Sequence, residues 1–357
     1  MKKSLVFIHL FNGFTGSPNV LATILNGLNT DNYDTTVLTS FNNKGFLSDV
    51  NCTRQVNISY YFKQNKIFRL FQFIKFQFFA AIFILGTSKK DIIFLNTIQP
   101  FLPAIIAKLK GNKVIFHIHE AYSKKTLFTN FLFYIIQVSS DEIICVSEYV
   151  LNQLNPKSRK KASLIYNSLP VSFVENRILE PKKDSSKNIL MVSSPKKYKG
   201  IFQFCNLAGL LNEYNFVLVC DATKEEIEGL FSSYSKINNL QIVGSQKNLH
   251  PFYSEADLIV NFSIPNQIVE TFGLTILEGM TYGLPCVVPP VGGITELVDE
   301  GVNGYKVDCR ETWELANKIR LILDDDLKYK EMSNEAIKKS KKFSFDVFIN
   351  KIKLKIG

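Results

Sequence analysis

The sequence predicts an α/β protein made of two doubly wound, Rossmann-like domains that face one another across a cleft. Three observations predict it. The chain has 357 residues, against about 150 for an average domain. Short continuous apolar runs alternate with helical periods, the pattern of parallel sheets covered on both faces. The alternation stops at a polar stretch near residue 180 and then starts again.

Leu5 to Leu10 is an apolar run that leads into the glycine loop Asn12-Gly13-Phe14-Thr15-Gly16, and Pro18 to Leu28 has helical spacing. Lys2 and Lys3 precede the run, as in a signal peptide. The run is short, however, His9 interrupts it, and no small-residue cleavage site follows, so it reads as a first strand. Asp91 to Asn96, Lys113 to His119 and Asp141 to Ser147 read as further strands. Phe101 to Lys110 and Glu148 to Leu154 read as helices. Glu180 to Asn188 is polar, with Pro181 and three lysines, and reads as a linker. Beyond it, Ile189 to Ser193, Phe216 to Asp221, Leu240 to Gly244, Leu258 to Phe262 and Cys286 to Pro289 read as strands, with a helix at Phe202 to Leu211. Lys338 to Ile356 reads as one basic amphipathic helix. The expected division is a first domain over 1–170, a linker over 171–188, a second domain over 189–337 and a C-terminal helix over 338–357 that packs back on the first domain. In open α/β sheets ligands sit beyond the carboxyl ends of the strands.

Charge separates the two halves. Residues 1–170 carry 19 Lys and Arg against 8 Asp and Glu, whereas residues 171–357 carry 23 against 24. The basic half should favour an anionic surface or substrate. A nucleic-acid partner is not expected, because no recognised module is present and the aromatic clusters are apolar rather than interleaved with bases for stacking. The six cysteines form no C-x-x-C pair and several lie in apolar runs, which reads as reduced core thiols on the cytoplasmic side. Ile67 to Gly86 is the most membrane-like stretch. Arg69, Gln72, Lys75 and Gln77 interrupt it, and Phe78 to Gly86 falls short of the roughly 20 residues of a membrane span. No transmembrane helix is expected. Phe68 to Phe79 is aromatic, apolar and basic, which suits either a helix in a bilayer interface or a core helix under the first sheet.

The stretch richest in chemistry runs from Val269 through Glu270-Thr271-Phe272-Gly273-Leu274-Thr275 to Glu278, then Gly283-Leu284-Pro285 and Gly292-Gly293. Gly273 lets the backbone turn and approach a ligand closely. A helix beginning near Leu274 would aim free N–H groups into the loop, a site suited to a diphosphate. Glu270 precedes that helix and Glu278 lies about two turns along it, where carboxylates can accept hydrogen bonds from sugar and ribose hydroxyls. On spacing alone, an amphipathic helix with two solvated glutamates fits equally well. His117 and His119 share a face of their strand, but no third metal ligand accompanies them.

This stretch resembles the signature of the retaining family 4 glycosyltransferases (glycosyl transferases group 1), which have the GT-B fold. Asn12 to Gly16, Phe116-His117-Ile118-His119-Glu120, Cys145 to Glu148, Ile165 to Ser168 and Tyr198-Lys199-Gly200 resemble further segments of that family, and only residues 40–85 lack a counterpart. The resemblance implies transfer of a hexose-type sugar from a UDP- or GDP-sugar without a metal or other cofactor. It implies that His119, Glu270 and Lys199 are catalytic. Glu278 would bind the ribose, Glu270 the sugar, and Lys199 the diphosphate. The backbone at Phe272, Gly273, Leu274 and Thr275 would contact sugar and diphosphate, and Gly13 and Gly16 would border the phosphates. Ser193 and Ser194 stand where the family often has Gly-Arg, so Lys196 or Lys197 would supply the second cation. The implied acceptor is a lipid-linked glycan in bacterial surface polysaccharide assembly, with the protein at the inner face of the cytoplasmic membrane. A nucleotide-sugar epimerase or another enzyme of the same fold is the competing reading.

Overall fold

A computed structural model describes residues 2–28, 30–40, 45–60, 65–122, 126–178 and 187–357. The chain divides into two compact units, Met1–Ser168 with Phe345–Gly357, and Leu169–Ser344.

The first unit is built on β1 (Lys3–Ile8), β2 (Tyr33–Ser40), β3 (Arg54–Ile58), β4 (Ile92–Leu95), β5 (Lys113–Ile118), β6 (Glu142–Cys145) and β7 (Ala162–Leu164). They form one sheet in the order β3-β2-β1-β4-β5-β6-β7, and every neighbouring pair is parallel. The chain works outward from β1 to β3 and then returns across β1 to β4, so the strand order reverses between β1 and β4. All four residues of β4 are buried, as a strand covered on both faces requires. The main helices are α1 (Gly16–Gly27), α2 (Lys66–Gly86), α3 (Phe101–Lys110) and α4 (Leu127–Ser139). On one face, Phe76, Ala80 and Ile84 of α2 join Val6, Ile8, Ile93 and Phe116 in a single core.

The second unit repeats the plan with β8 (Asn188–Ser193), β9 (Asn215–Cys220), β10 (Leu240–Val243), β11 (Leu258–Val260), β12 (Cys286–Val288) and β13 (Gly304–Lys306). The order is β10-β9-β8-β11-β12-β13, again all parallel, and it reverses between β8 and β11. The ring of Phe204 packs against Phe216 and Phe262, with centroids 5.2 and 5.9 Å away, at the centre of its core. All six cysteines are free, and five are buried.

Three expectations are corrected. Residues 338–356 are not one helix. The helix Asp326–Ser340 ends in a short 3-10 turn, and a new helix runs over Phe345–Ile356. The break follows from Phe343, which is buried against Phe272 in the second unit with centroids 5.7 Å apart. Phe345 and Ile349, by contrast, pack against Gly27 of α1. Second, part of the expected linker is regular structure. A helix occupies Val171–Glu175 and Asn188 opens β8, while residues 179–186 lie outside the described residues. Third, the stretch expected to fall short of a membrane span is part of one longer helix. α2 is continuous over 21 residues, long and apolar enough by length and composition to cross a membrane, although one face lies in the core. Gln77 is used as a bracket. Its Nε2 donates to the carbonyl of Gln99 at 2.8 Å and its Oε1 accepts from the amide of Leu102 at 3.1 Å, which ties α2 to the start of α3.

Gln77→Leu would raise the hydropathy of α2 yet is expected to destabilise the first unit by about 1–3 kcal/mol, because it strands a carbonyl and an amide. Denaturant unfolding of the variant against the wild type checks this.

Candidate functional site

The loops that leave β8 and β11 flank the reversal of strand order in the second unit, the place where open α/β sheets bind ligands. After β8 the chain makes a 3-10 turn over Lys197–Lys199 and passes Gly200 at φ 75°. That backbone is strained for any residue with a Cβ. A Cβ at Gly200 would also sit 2.0 Å from the carbonyl oxygen of Phe262. The turn is therefore pressed onto the chain leaving β11, and the Ile264 amide donates to the Tyr198 carbonyl at 2.9 Å. This docking carries Lys199 to Glu270. Nζ lies 2.5 Å from Oε1, and the hydroxyl of Ser263 donates to the same oxygen at 2.6 Å. Burial pushes the Glu270 carboxyl up. The Lys199 charge and hydrogen bonds from Lys199, Ser263 and Asn261 outweigh it and hold the group below its ordinary value. Sequence reading found Glu270 and Lys199 but missed Ser263, whose position just past β11 was the available signal.

Gly273, at φ 100°, opens the helix Leu274–Thr281 and supplies no capping side chain. The first amides of that helix therefore have neither an intrahelical acceptor nor a side-chain cap. Phe272 points its ring into the core against Phe343. Glu278 lies one turn into the helix rather than two, because the helix starts at Leu274. It is 8% exposed, and the Tyr253 hydroxyl donates to its Oε2 at 2.5 Å. Burial pushes the Glu278 carboxyl up to about 7, and the Tyr253 hydrogen bond only partly offsets this. Tyr253 in turn stacks on Tyr282 with centroids 5.6 Å apart. Tyr253 lies 25 residues before Glu278 on another helix, so nothing local in the sequence pointed to it.

Ser194 uses its carbonyl to accept from the Lys196 amide at 2.8 Å, which shapes the turn toward Lys199. Lys196 and Lys197 are exposed, and Lys197 Nζ lies 5.9 Å from the Phe202 ring centre.

The first unit gathers a second cluster at its own reversal of strand order, beyond β1, β4 and β5. The Asn96 side chain is its pivot. Nδ2 donates to the Ser17 carbonyl at 2.9 Å and faces His9 Nδ1 at 3.3 Å, while Oδ1 lies 3.2 Å from His119 Nε2. A carbonyl can only accept, so the Ser17 contact orients the amide. It follows that His119 carries its proton on Nε2, leaving Nδ1 as an acceptor. Burial, followed by His117 and His9 nearby, holds the His119 pKa well below its ordinary value, so the ring is neutral. The neighbouring Glu120 accepts from the amides of Ile98 and His119 at 3.3 and 3.2 Å, and burial raises it to about 7. The His117 ring lies tilted against that of His119, with centroids 4.1 Å apart, but it is fully buried, and neither of its nitrogens has a hydrogen-bond partner among the described residues. Gly13 lies in the loop after β1, and Gly16 at its end. The Gly13 carbonyl accepts from Phe46 at 3.4 Å, and Gly16 is the first residue of α1. Among the described residues, no group of three or more His, Cys, Asp or Glu is arranged as a metal site.

The Lys199–Glu270 pair makes a pH-dependent contribution to folding. Because the Glu270 pKa lies below its ordinary 4.5, that contribution is complete above about pH 4.5 and is lost as the pH falls through the folded pKa. In Lys199→Met the Lys199 charge and hydrogen bond no longer oppose burial, and only Ser263 and Asn261 still lower the carboxyl pKa, which rises. The variant is expected to lose roughly 1–3 kcal/mol at neutral pH and to approach the wild type only as the pH falls through the folded pKa of Glu270, below 4.5. Unfolding midpoints at neutral and at acid pH check it.

The chain has recognisable relatives. Residues 14–173 match the family model described as Glycosyltransferase Family 4, and residues 174–341 the model described as Glycosyl transferases group 1. An uncharacterized glycosyltransferase of Methanocaldococcus jannaschii is 26% identical over 225 residues, 62% of this chain and 61% of that protein. The N-acetyl-alpha-D-glucosaminyl L-malate synthase of Bacillus anthracis is 24% identical over 209 residues, 55% of this chain and 54% of that protein. The matched region thus spans little more than half the length of these relatives. Among solved structures, Anabaena HepE in complex with UDP and glucose superposes with a TM-score of 0.78 at 18% identity, covering 99% of this chain and 98% of that one. That likeness is one of fold. Two adjoining family models run from residue 14 to residue 341 over a pair of parallel sheets that each reverse once, and on that evidence the chain belongs to the group 1 glycosyltransferases of GT-B fold.

Proposed function

We propose that the protein is a retaining hexosyltransferase that uses a UDP- or GDP-sugar and needs no metal. One observation carries this reading. An ion-paired Lys199 and Glu270 lie beside the start of the Leu274–Thr281 helix, whose first amides have no capping side chain. A cation and aligned N–H groups suit a diphosphate, and a carboxylate beside them suits the sugar it carries. The UDP and glucose held by HepE, a protein of the same fold, are consistent with such a donor.

In the proposed cycle, the diphosphate draws Lys199 from Glu270, which frees the carboxylate to accept from sugar hydroxyls. Glu278 accepts from the ribose. Lys196 or Lys197 supplies the charge that Ser194 lacks. The acceptor hydroxyl attacks the anomeric carbon on the face from which the diphosphate leaves. The new C–O bond forms as the old one breaks, and the departing phosphate oxygen takes the hydroxyl proton. Configuration is retained without a protein base. Lys199 and the helix amides stabilise the leaving charge, each well-placed donor contributing about 3–4 kcal/mol in comparable sites. His119, neutral and with Nδ1 open as an acceptor, orients a sugar hydroxyl. The acceptor is a lipid-linked glycan of surface polysaccharide assembly, met at the inner face of the cytoplasmic membrane. The excess of 19 basic over 8 acidic residues in positions 1–170 supports an anionic acceptor.

Glu278→Ala is expected to weaken UDP binding by about 10–100-fold, the loss of one or two hydrogen bonds to a charged acceptor. Unchanged donor affinity and turnover would sink the assignment, and the anomeric configuration of the product, read by NMR, tests retention. Tyr253→Phe gives an independent readout. Ribose hydroxyls need the ionised Glu278, so affinity falls as the pH drops through its pKa of about 7. Without the Tyr253 hydrogen bond that pKa rises, and the fall in affinity should begin at higher pH than in the wild type when calorimetric titrations are compared.

A further inference from the structure

The helix α2 is turned inside out relative to its polarity. Gln72 and Gln77 are buried, whereas Ile67, Phe71, Ile74, Phe78, Ile82 and Leu85 are between 43 and 80% exposed. These six recur at intervals of three and four, so they form one stripe along the whole helix. Its opposite side, Phe76, Ala80 and Ile84, is fully buried in the core. The stripe is not isolated. α2 lies beside α3, and α3 beside α4. The Phe73 ring contacts Phe101 of α3 and Phe128 of α4, with centroids 6.1 and 6.3 Å away. Leu127, Phe128 and Tyr134 of α4 extend the surface and are 91, 51 and 58% exposed. A continuous apolar face of this kind marks an interaction site.

Charge selects the partner. The three helices contain five basic residues and no Asp or Glu. Lys108 is paired with Asp141, and Lys110 donates to the carbonyls that end α2. Lys66, Arg69 and Lys75 lie on α2 itself, the helix that carries the stripe, and Arg69 also interacts with Tyr60. Apolar side chains beside cations, with carboxylates excluded, complement a surface that is hydrocarbon beneath and anionic at its edge.

We propose that the exposed face of α2, continued by α4, seats the first unit on an anionic lipid bilayer, with α2 lying in the plane of the interface. The helix does not cross the bilayer, because its other face is core. The purpose of the seat rests on the lipid-linked acceptor reading above, whereas its physics does not.

The test is flotation of the full chain with vesicles of phosphatidylcholine alone or mixed with phosphatidylglycerol. Binding is expected to the mixed vesicles at low salt and to weaken about tenfold or more on phosphatidylcholine alone or at high salt. Phe71→Ser with Phe78→Ser should lower binding about tenfold or more. Leu354→Ser, at a position 79% exposed on the C-terminal helix, should not. Melting curves and UDP titrations keep the comparison fair, and the double variant should match the wild type in both. Three results would overturn the proposal: no binding to anionic vesicles, binding that resists alkaline carbonate extraction, or a lipid-free dimer that the double variant dissolves. Loss of vesicle binding with UDP affinity intact removes only the membrane seat. Vesicle binding without affinity for either UDP or GDP removes only the proposed donor chemistry.

Discussion

A parallel sheet cannot be closed by hairpins. Each strand must be followed by a crossover, and the crossovers must cover both faces, so every strand in a unit ends at the same edge. Where the strand order reverses, two neighbouring loops leave that edge in opposite directions and open a space between them. In the first unit this happens between β1 and β4, and in the second between β8 and β11. Asn96 and His119 gather at the first reversal, and Lys199 and Glu270 at the second. The candidate site groups are thus collected by a rule of chain direction, and the side chains only refine what that rule brings together.

The refinement relies on close backbone contact. Gly200 allows the Lys199 turn to rest on the Phe262 carbonyl, and without that approach Lys199 would not reach the carboxylate of Glu270. Lys199, joined by Ser263 and Asn261, then holds the Glu270 pKa below its ordinary value against the upward push of burial. Among the described residues Glu278 has one hydroxyl partner, Tyr253, and burial raises its pKa to about 7. Two glutamates eight residues apart therefore have different electrostatic characters, set by partners from different loops.

Much of the fold was legible in the sequence. Buried strands such as β1, β4 and β8 are near-continuous apolar runs and were read to within a few residues. β2, β3 and β7 were not read, because threonines and polar residues break their patterns where the strands lie toward or at a sheet edge. Only Phe78 to Gly86 counted toward a membrane span, because hydropathy cannot distinguish a glutamine exposed on a helix from one, such as Gln77, that brackets a neighbouring helix. The helix expected over 338–356 was split because Phe343 and Phe345 pack into different units.

The sequence by itself determined the alternation of strands and helices, the break near residue 180, and the placing of Glu270, Gly273 and Glu278 around a helix start, because each of these is written in local periodicity and backbone preference. The tertiary structure decided the partners: Lys199 and Ser263 on Glu270, Tyr253 on Glu278, and Asn96 between His9 and His119. These contacts join residues between 7 and 87 positions apart. No local pattern encodes them, because the packing of one loop onto another sets their geometry, and with it the charge and tautomer of each group.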